Sequence, residues 1–418
     1  MIKISNTINS FFLISFLLLL GFQISAQKKI NLDENWKFHF GNSSTPEKDF
    51  NFGGVLLFHK SNVSETTVIS QKFVDTVWTK VNVPHDWVVQ LPFVESSTHE
   101  MDSHGYKPVG GLYPETTIGW YRKHFTIDKK NINNRFEIQF DGIYRNATIW
   151  INGFYVGTNF SGYLGKSYDI TDFMDFDNEN VIVIRVDATQ SEGWFYEGAG
   201  IYRHVWLKVM NNVHILENGV YVHSIINDKK AQITIETEIE NKNLTNTNGK
   251  IYAYITDQKG NQIAKTAEQN FVNSIDGTTK IKQTVSLNNV NLWSLENPYL
   301  YKVVSVLKQN NQIIDKKKVN FGIKTVKFDS NKGFFLNGKH IKIQGTNNHQ
   351  DHAGLGSALP DFIQYYRIKL LKQMGCNAYR TSHNAPTPEL LEACDSLGLL
   401  VLDEQRLLNS SEEYKNQF

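Results

Sequence analysis

Cysteine is almost absent from this sequence: 418 residues contain only Cys376 and Cys394. Two thiols in a chain of this length exclude a disulfide scaffold, and the close Cys spacing of a zinc-binding motif is missing. Both fall in stretches that read as core elements, so the expectation is buried free thiols. A surplus of charge is missing too, since 43 Lys+Arg against 42 Asp+Glu leave a net charge of +1. No basic block or acidic tail breaks that balance, which argues against nucleic acid, a partner that needs a concentrated positive face. Long apolar runs are absent with one exception. Residues 11–22, "FFLISFLLLLGF", follow a lysine-bearing start and precede the small-residue stretch "ISA" before Gln27. That order is the order of a secretory signal cut after Ala26, and the run is too short for a comfortable membrane span. No cysteine follows it, which argues against a lipid anchor. The mature chain is therefore expected to be exported, to the periplasm or beyond, with no membrane span.

Helical periodicity is the next absence. From residue 28 to about 212 the sequence alternates apolar and polar residues between turns, as in "RFEIQFDGI" and "NVIVIRVDAT". "TIWINGFYVG" sets Asn-Gly between two such runs, a strong short-range hairpin signal. Many strands without helices over ~180 residues predict a sandwich of the jelly-roll kind for residues 27–212. Residues 213–326 carry a second series, including "QITIETEIEN" and "YLYKVVSVLKQNNQ". About seven short strands in ~110 residues predict an immunoglobulin-like sandwich. Aromatic content is high at 12%. It suits uncharged ligands such as sugars, and it equally suits the cores of β proteins.

After residue 326 the period changes. "GFFLNGKHIKIQG" reads as a hairpin and then a strand. Residues 360–375, "PDFIQYYRIKLLKQMG", set Phe362, Ile363, Tyr366, Leu370 and Met374 at helical spacing before a glycine stop. "CNAYRTSH" reads as a strand. "TPELLEACDSLG" reads as a helix with Thr387 as N-cap and Pro388 in its first turn. "LLVLDE" is the next strand, and Ser410 with Glu413 has capping-box spacing for a third helix. Such alternation predicts a parallel sheet with crossover helices. Three β/α units in residues 327–418 make only the beginning of an eight-fold barrel, which takes roughly 250 residues.

Together these stretches resemble glycoside hydrolase family two, most closely its β-galactosidase-like members. The resemblance rests on "VPHDW", "GWYRKHF", "FDGIYRNATIWINGFYVG", "GAGIYRHVWL", "LWSLENPYLY", "FGIKTV", "GTNNHQDH" and "NAYRTSHNAPTPELLEACDSLGLLVLDE". It implies a jelly roll, an immunoglobulin-like domain and a catalytic TIM barrel, and a retaining enzyme with two glutamates ~5–5.5 Å apart. In the family both glutamates follow later barrel strands, so the resemblance places neither within these 418 residues. The expectation is a chain truncated before its acid/base and nucleophile, and inactive as it stands. Asp403 and Glu404 end the third predicted strand. In the family that pair shapes the pocket, and neighbouring strand residues face opposite ways.

The resemblance assigns sugar contacts to His349 and His383, at the ends of predicted barrel strands where such sites are built. An imidazole offers one donor and one acceptor on a rigid ring. Arg380 is implied to orient carboxylates, and Asn347 and Asp351 share the first loop. His352 is a weaker candidate. From the jelly roll, Trp194, Tyr196 and Glu197 are candidates for sugar contact or for domain packing. Arg203, His85, Asp86 and Trp87 are expected to form a buried polar cluster between strands. His349 and His352 have no third ligand in sequence, and the family's magnesium positions fall on Leu408 and Ser410, so no metal and no cofactor are expected. The partner implied is a β-linked glycan or galactoside. A β-glucuronidase or other exo-β-glycosidase, a non-catalytic carbohydrate-binding protein and a non-functional product remain the alternatives.

Overall fold

The computed structural model describes residues 27–53, 65–95, 107–190 and 195–405. The expected signal run, Trp194 and the third-helix capping box lie outside them. The first unit is a sandwich of two antiparallel sheets. Its six-stranded sheet runs in the order Thr79–Val81, Trp36–Phe40, Ile118–Phe125, Asn180–Asp187, Ala147–Ile151, Phe154–Asn159. Its four-stranded sheet runs Lys28–Asn31, Val205–Met210, Arg135–Phe140, Lys166–Asp169. Asn152 and Gly153, both at positive φ, turn Ile151 back onto Phe154 as the Asn-Gly signal predicts. Alternation holds where one face is open: Arg135–Phe140 buries every second residue. It fails in Ile118–Phe125 and Asn180–Asp187, which are buried almost throughout. There the outer face is also covered, by Phe50, Val68, Ile69 and Trp78, against a stacked Trp120–Trp150 pair with ring centroids 5.8 Å apart.

The second unit packs a three-stranded sheet (Val213–Asn227, Lys230–Asn241, Gly277–Asn288) on a five-stranded one (Gln262–Lys265, Thr247–Thr256, Gln269–Asn273, Tyr301–Gln309, Gln312–Phe321). Ile233, Ile235, Ile255 and Val303 fill the space between. A three-stranded antiparallel sheet (Val326–Asp329, Gly333–Leu336, Lys339–His340) leads on from it.

Three parallel strands follow: Gly345–Asn348 beside Ala378–Thr381 beside Leu400–Leu402. The crossover helices are Asp361–Gln373 and Pro388–Leu397. Thr387 caps the second, its side chain accepting from Leu390 N, and Gly398 ends it at φ 76°. The first helix forms where its apolar spacing predicts, but most of that spacing does not mark the buried face. Phe362 and Met374 are 67% and 72% exposed, and Tyr366 and Leu370 are exposed as well. Ile363, Gln364, Ile368 and Leu371 are the buried residues, and Ile368 and Leu371 join a cluster with Tyr379, Leu390 and Cys394. The helix carries apolar residues on two sides, and period alone does not rank them. The cysteines divide: Cys394 is buried, its thiol pushed up to about 12 by burial, whereas Cys376 is only half-buried. No helix among the described residues is long and apolar enough to cross a membrane.

Candidate active site

Three loops leave the C-terminal ends of the three parallel strands, and side chains from all three meet there. His349 comes directly after the first strand, and His383 follows the second by two residues. Their ring centroids lie 5.4 Å apart, nearly perpendicular. Glu404, two residues past the third strand, joins the second loop to the third. Its Oε1 is 2.9 Å from His383 Nδ1, and its Oε2 is 2.6 Å from Arg380 Nη2, an ion pair lying off hydrogen-bond angles. Glu404 N donates to Thr381 Oγ1 (2.8 Å), and Thr381 Oγ1 donates to Asp403 Oδ1 (3.2 Å). One threonine thus sends the two carboxylates different ways. They stand past the end of Leu400–Leu402, so this threonine and the turn separate them, and strand alternation does not. Asn347 sits in register with Arg380 on the neighbouring strand.

The first loop is held from behind. Arg367 of the first helix donates to His349 O (2.5 Å) and Gln350 O (2.7 Å). Burial is the leading influence on His349 and pulls its pKa below the usual histidine value, helped by His383; Asp351 acts the other way. That favours a neutral ring with a donor and an acceptor. His352 turns into its own loop instead, its Nδ1 3.1 Å from Ala353 O.

The jelly roll reaches this mouth through one residue that the sequence did not single out. Phe195 lies edge-on to His349, centroids 4.7 Å apart, and 5.7 Å from His383. Its neighbours turn inward. Tyr196 OH donates to Asp86 Oδ2 (2.8 Å), and Glu197, 8% exposed, accepts from Tyr163 OH (2.8 Å). Both polar ends are engaged inside the fold, and Phe195 is the residue of the segment that meets the histidines. Asp86 and Arg203 are buried as expected, but they link domains as well as strands. Asp86 accepts from Val88 N, Ala199 N and, across the boundary, Ser357 N (3.0 Å). Arg203 Nη2 donates to Ala385 O (2.8 Å) and Gln350 Oε1 (3.3 Å), fixing the loops after the first two strands. Gly356 closes the first loop at φ +66°, where a Cβ would fall 2.3 Å from Asp86 Oδ2; only glycine fits.

Chemically, the mouth presents imidazole, guanidinium and carboxylate groups, able to donate to and accept from hydroxyls, with one aromatic edge as a wall. Its carboxylates do not form a facing acid and nucleophile: Glu404 is engaged by Arg380 and His383, and Asp403 by Thr381.

Three family models match the chain: the sugar binding domain of glycosyl hydrolases family 2 over residues 79–210, the glycosyl hydrolases family 2 domain over 213–324, and the family 2 TIM barrel domain over 326–416. A β-galactosidase of Bacteroides ovatus is 32% identical over 383 residues, covering 91% of this chain and 41% of the relative. A β-glucuronidase of Formosa agariphila is 31% identical over 384 residues, covering 86% and 38%. The chain thus spans about two-fifths of the length of these curated relatives. Among solved structures, a glycosyl hydrolase family 2 member from Bacteroides cellulosilyticus superposes with a TM-score of 0.76 at 32% identity, covering 90% of this chain and 47% of that one. A β-glucuronidase from the same family gives 0.78 at 27% identity, covering 94% and 41%.

Proposed function

The chain belongs to glycosyl hydrolase family 2, and we propose that its 418 residues supply the sugar-recognising wall of a β-galactosidase-type retaining glycosidase acting on oligo- or polysaccharide. The observation that carries this reading is the meeting of His349, His383, Arg380 and Glu404 at the C-terminal ends of three parallel strands, where TIM-barrel sites are built. Asn347 and Asp351 belong to the same wall. In this reading His349 and His383 bind sugar hydroxyls, and Glu404 orients His383 while neutralising Arg380. Retaining chemistry needs two carboxyl groups ~5–5.5 Å apart across the glycosidic bond. Asp403 and Glu404 are bound to other partners, so we assign the acid/base and the nucleophile to neither. These residues alone are then expected to bind sugar without cleaving it.

A glucuronidase is the second reading, since such enzymes are among the relatives. A uronate would need a cation free to meet its carboxylate; Arg380 faces Glu404, and the described residues do not separate the two sugars. Export by an N-terminal signal belongs to the same proposal and rests on residues 11–26 of the sequence. The test combines p-nitrophenyl β-D-galactoside hydrolysis with galactose binding by the purified chain, with β-glucuronide and β-mannoside controls. Galactose binding that His383→Ala weakens, without turnover, is the expected result. Turnover that co-purifies with the chain would overturn the assignment of Asp403 and Glu404.

A further inference from the structure

We propose that the cavity between the jelly roll and the two barrel helices is a divalent-cation site, formed by His204, Asp361, Gln364 and Glu389. His204 Nε2 stands 2.8 Å from Asp361 Oδ1 and 4.0 Å from Glu389 Oε1, and one donor atom of each residue lies within 4.8 Å of the others. Donors held ~2.1 Å from one ion are ~3.0 Å apart when adjacent and ~4.2 Å apart when opposite. The His204–Asp361 and His204–Glu389 separations need adjustments of only a few tenths of an ångström. Behind the ring, His204 Nδ1 is 2.6 Å from Asp33 Oδ2. A carboxylate in that position fixes the tautomer and aims Nε2 outward, as it does for metal-binding histidines.

Gln364 is an independent observation. It lies one helical turn from Asp361, is 6% exposed, lines the same cavity, and its Oε1 has no hydrogen-bond partner among the described residues. A buried carbonyl oxygen without a donor is costly, and a cation would satisfy it. The cavity holds about 30 Å³, room for one ion with a water or for two waters. Charge decides between these occupants. Asp33, Asp361 and Glu389 outnumber His204, and the cavity's other cation, Arg203, is turned to Gln350 and Ala385 O. Burial pushes the Glu389 carboxyl up, while His204 acts the other way.

Access exists as well. Asp361 and Glu389 also line an open cleft of about 680 Å³ between the second sandwich and the barrel helices. One imidazole nitrogen with carboxylate and amide oxygens suits Zn²⁺ or Mn²⁺. The bound ion would join the jelly roll to the N-termini of both barrel helices. No local spacing announces it, because His204 and Asp361 are 157 residues apart; the expectation of no metal was drawn from the His349/His352 pair and from the family's magnesium positions at Leu408 and Ser410.

The test is calorimetric titration of the metal-stripped full chain with Zn²⁺ and, separately, Mn²⁺, in two buffers of different ionisation enthalpy. One ion per chain is expected, with release of about one proton as the ion replaces the proton on His204. Glu389→Gln and Gln364→Leu should each weaken binding by at least about tenfold, while His349→Gln/His352→Gln leaves it unchanged. Circular dichroism and metal-free melting identify variants that keep the fold. Gln364→Leu replaces a neutral group and keeps the comparison available should Glu389→Gln unfold. No binding tighter than ~1 mM, or binding lost in the His349/His352 variant and indifferent to the cavity variants, would overturn the proposal.

Discussion

Asp86 offers a sharp test of how the barrel loop is held. Its carboxylate is 5% exposed and accepts from Val88 N and Ala199 N (both 3.1 Å), Ser357 N (3.0 Å) and Tyr196 OH (2.8 Å). Asp86→Ala leaves four donors facing a small void. A buried donor without a partner costs roughly 1–3 kcal/mol, so the gross loss is at least ~4 kcal/mol. Against this, the variant no longer buries a charge. Burial raises the Asp86 pKa more than its hydrogen bonds lower it, so part of the loss is recovered. The expected net destabilisation is about 3 kcal/mol. Asp86→Asn keeps one acceptor oxygen for Val88 and Ala199, Tyr196 OH can rotate to accept from the new amide, and only Ser357 N is stranded; about 1.5 kcal/mol follows. Urea unfolding followed by tryptophan fluorescence reads the jelly roll, because every tryptophan except Trp293 precedes residue 213. Hydrogen exchange at Ser357 reads the loop and should accelerate in both variants. A loss below ~1 kcal/mol for Asp86→Ala, with Ser357 still protected, would refute the reasoning.

Two further outcomes are expected. His85 is held down to about 4 by burial, with its Nδ1 2.8 Å from Tyr121 OH; a depressed folded pKa means stability is complete above ~6.5 and is lost as pH falls toward 4. The loss is up to about 3 kcal/mol, and His85→Gln should flatten that part of the pH–stability profile; an unchanged slope counts against the burial argument. Phe195→Ala removes the edge that packs on His349 and His383 and a ring that packs against the jelly-roll core, and should weaken galactose binding about 3- to 10-fold in protein that circular dichroism shows to be folded, an aromatic contact being worth about 0.5–1.5 kcal/mol; equal affinity would show that the two rings hold their places without it.

Some of this was legible in the sequence, and the limits have physical causes. Strand–turn alternation located Arg135–Phe140 because every second residue faces the core, and the Asn-Gly turn located the Ile151–Phe154 hairpin. Alternation located Asn180–Asp187 as well, but not the second apolar layer that covers the outer face of that strand. The helix at Asp361–Gln373 announced itself by period and by its glycine stop, yet Phe362, Tyr366, Leu370 and Met374 lie on its exposed side. Period reports that an element is helical; which of two apolar sides is covered depends on neighbours distant in sequence. The same limit explains Phe195. Tyr196 and Glu197 were candidates through the family resemblance of their loop, but polar atoms on a buried segment find partners inside the fold, and theirs do.

The jelly roll is part of the mouth and holds it in place. Each of the first two barrel loops has a tie to it: Ser357 N to Asp86 in the first, Ala385 O to Arg203 in the second. In the third loop Glu404 runs instead to His383 and Arg380 on the second strand and its loop. Order therefore passes from the sandwich to the first two loops, and from the second to the third through Glu404. A parallel sheet needs cover on both faces, and three strands with two helices provide little of it. The histidine pair accordingly depends on residues near 86, 195 and 203 as much as on the barrel strands that carry it. That dependence gives a physical reason for the buried polar side chains at Asp86 and Arg203: apolar residues would fill the same volume, but they would not fix the loop backbones that aim His349 and His383.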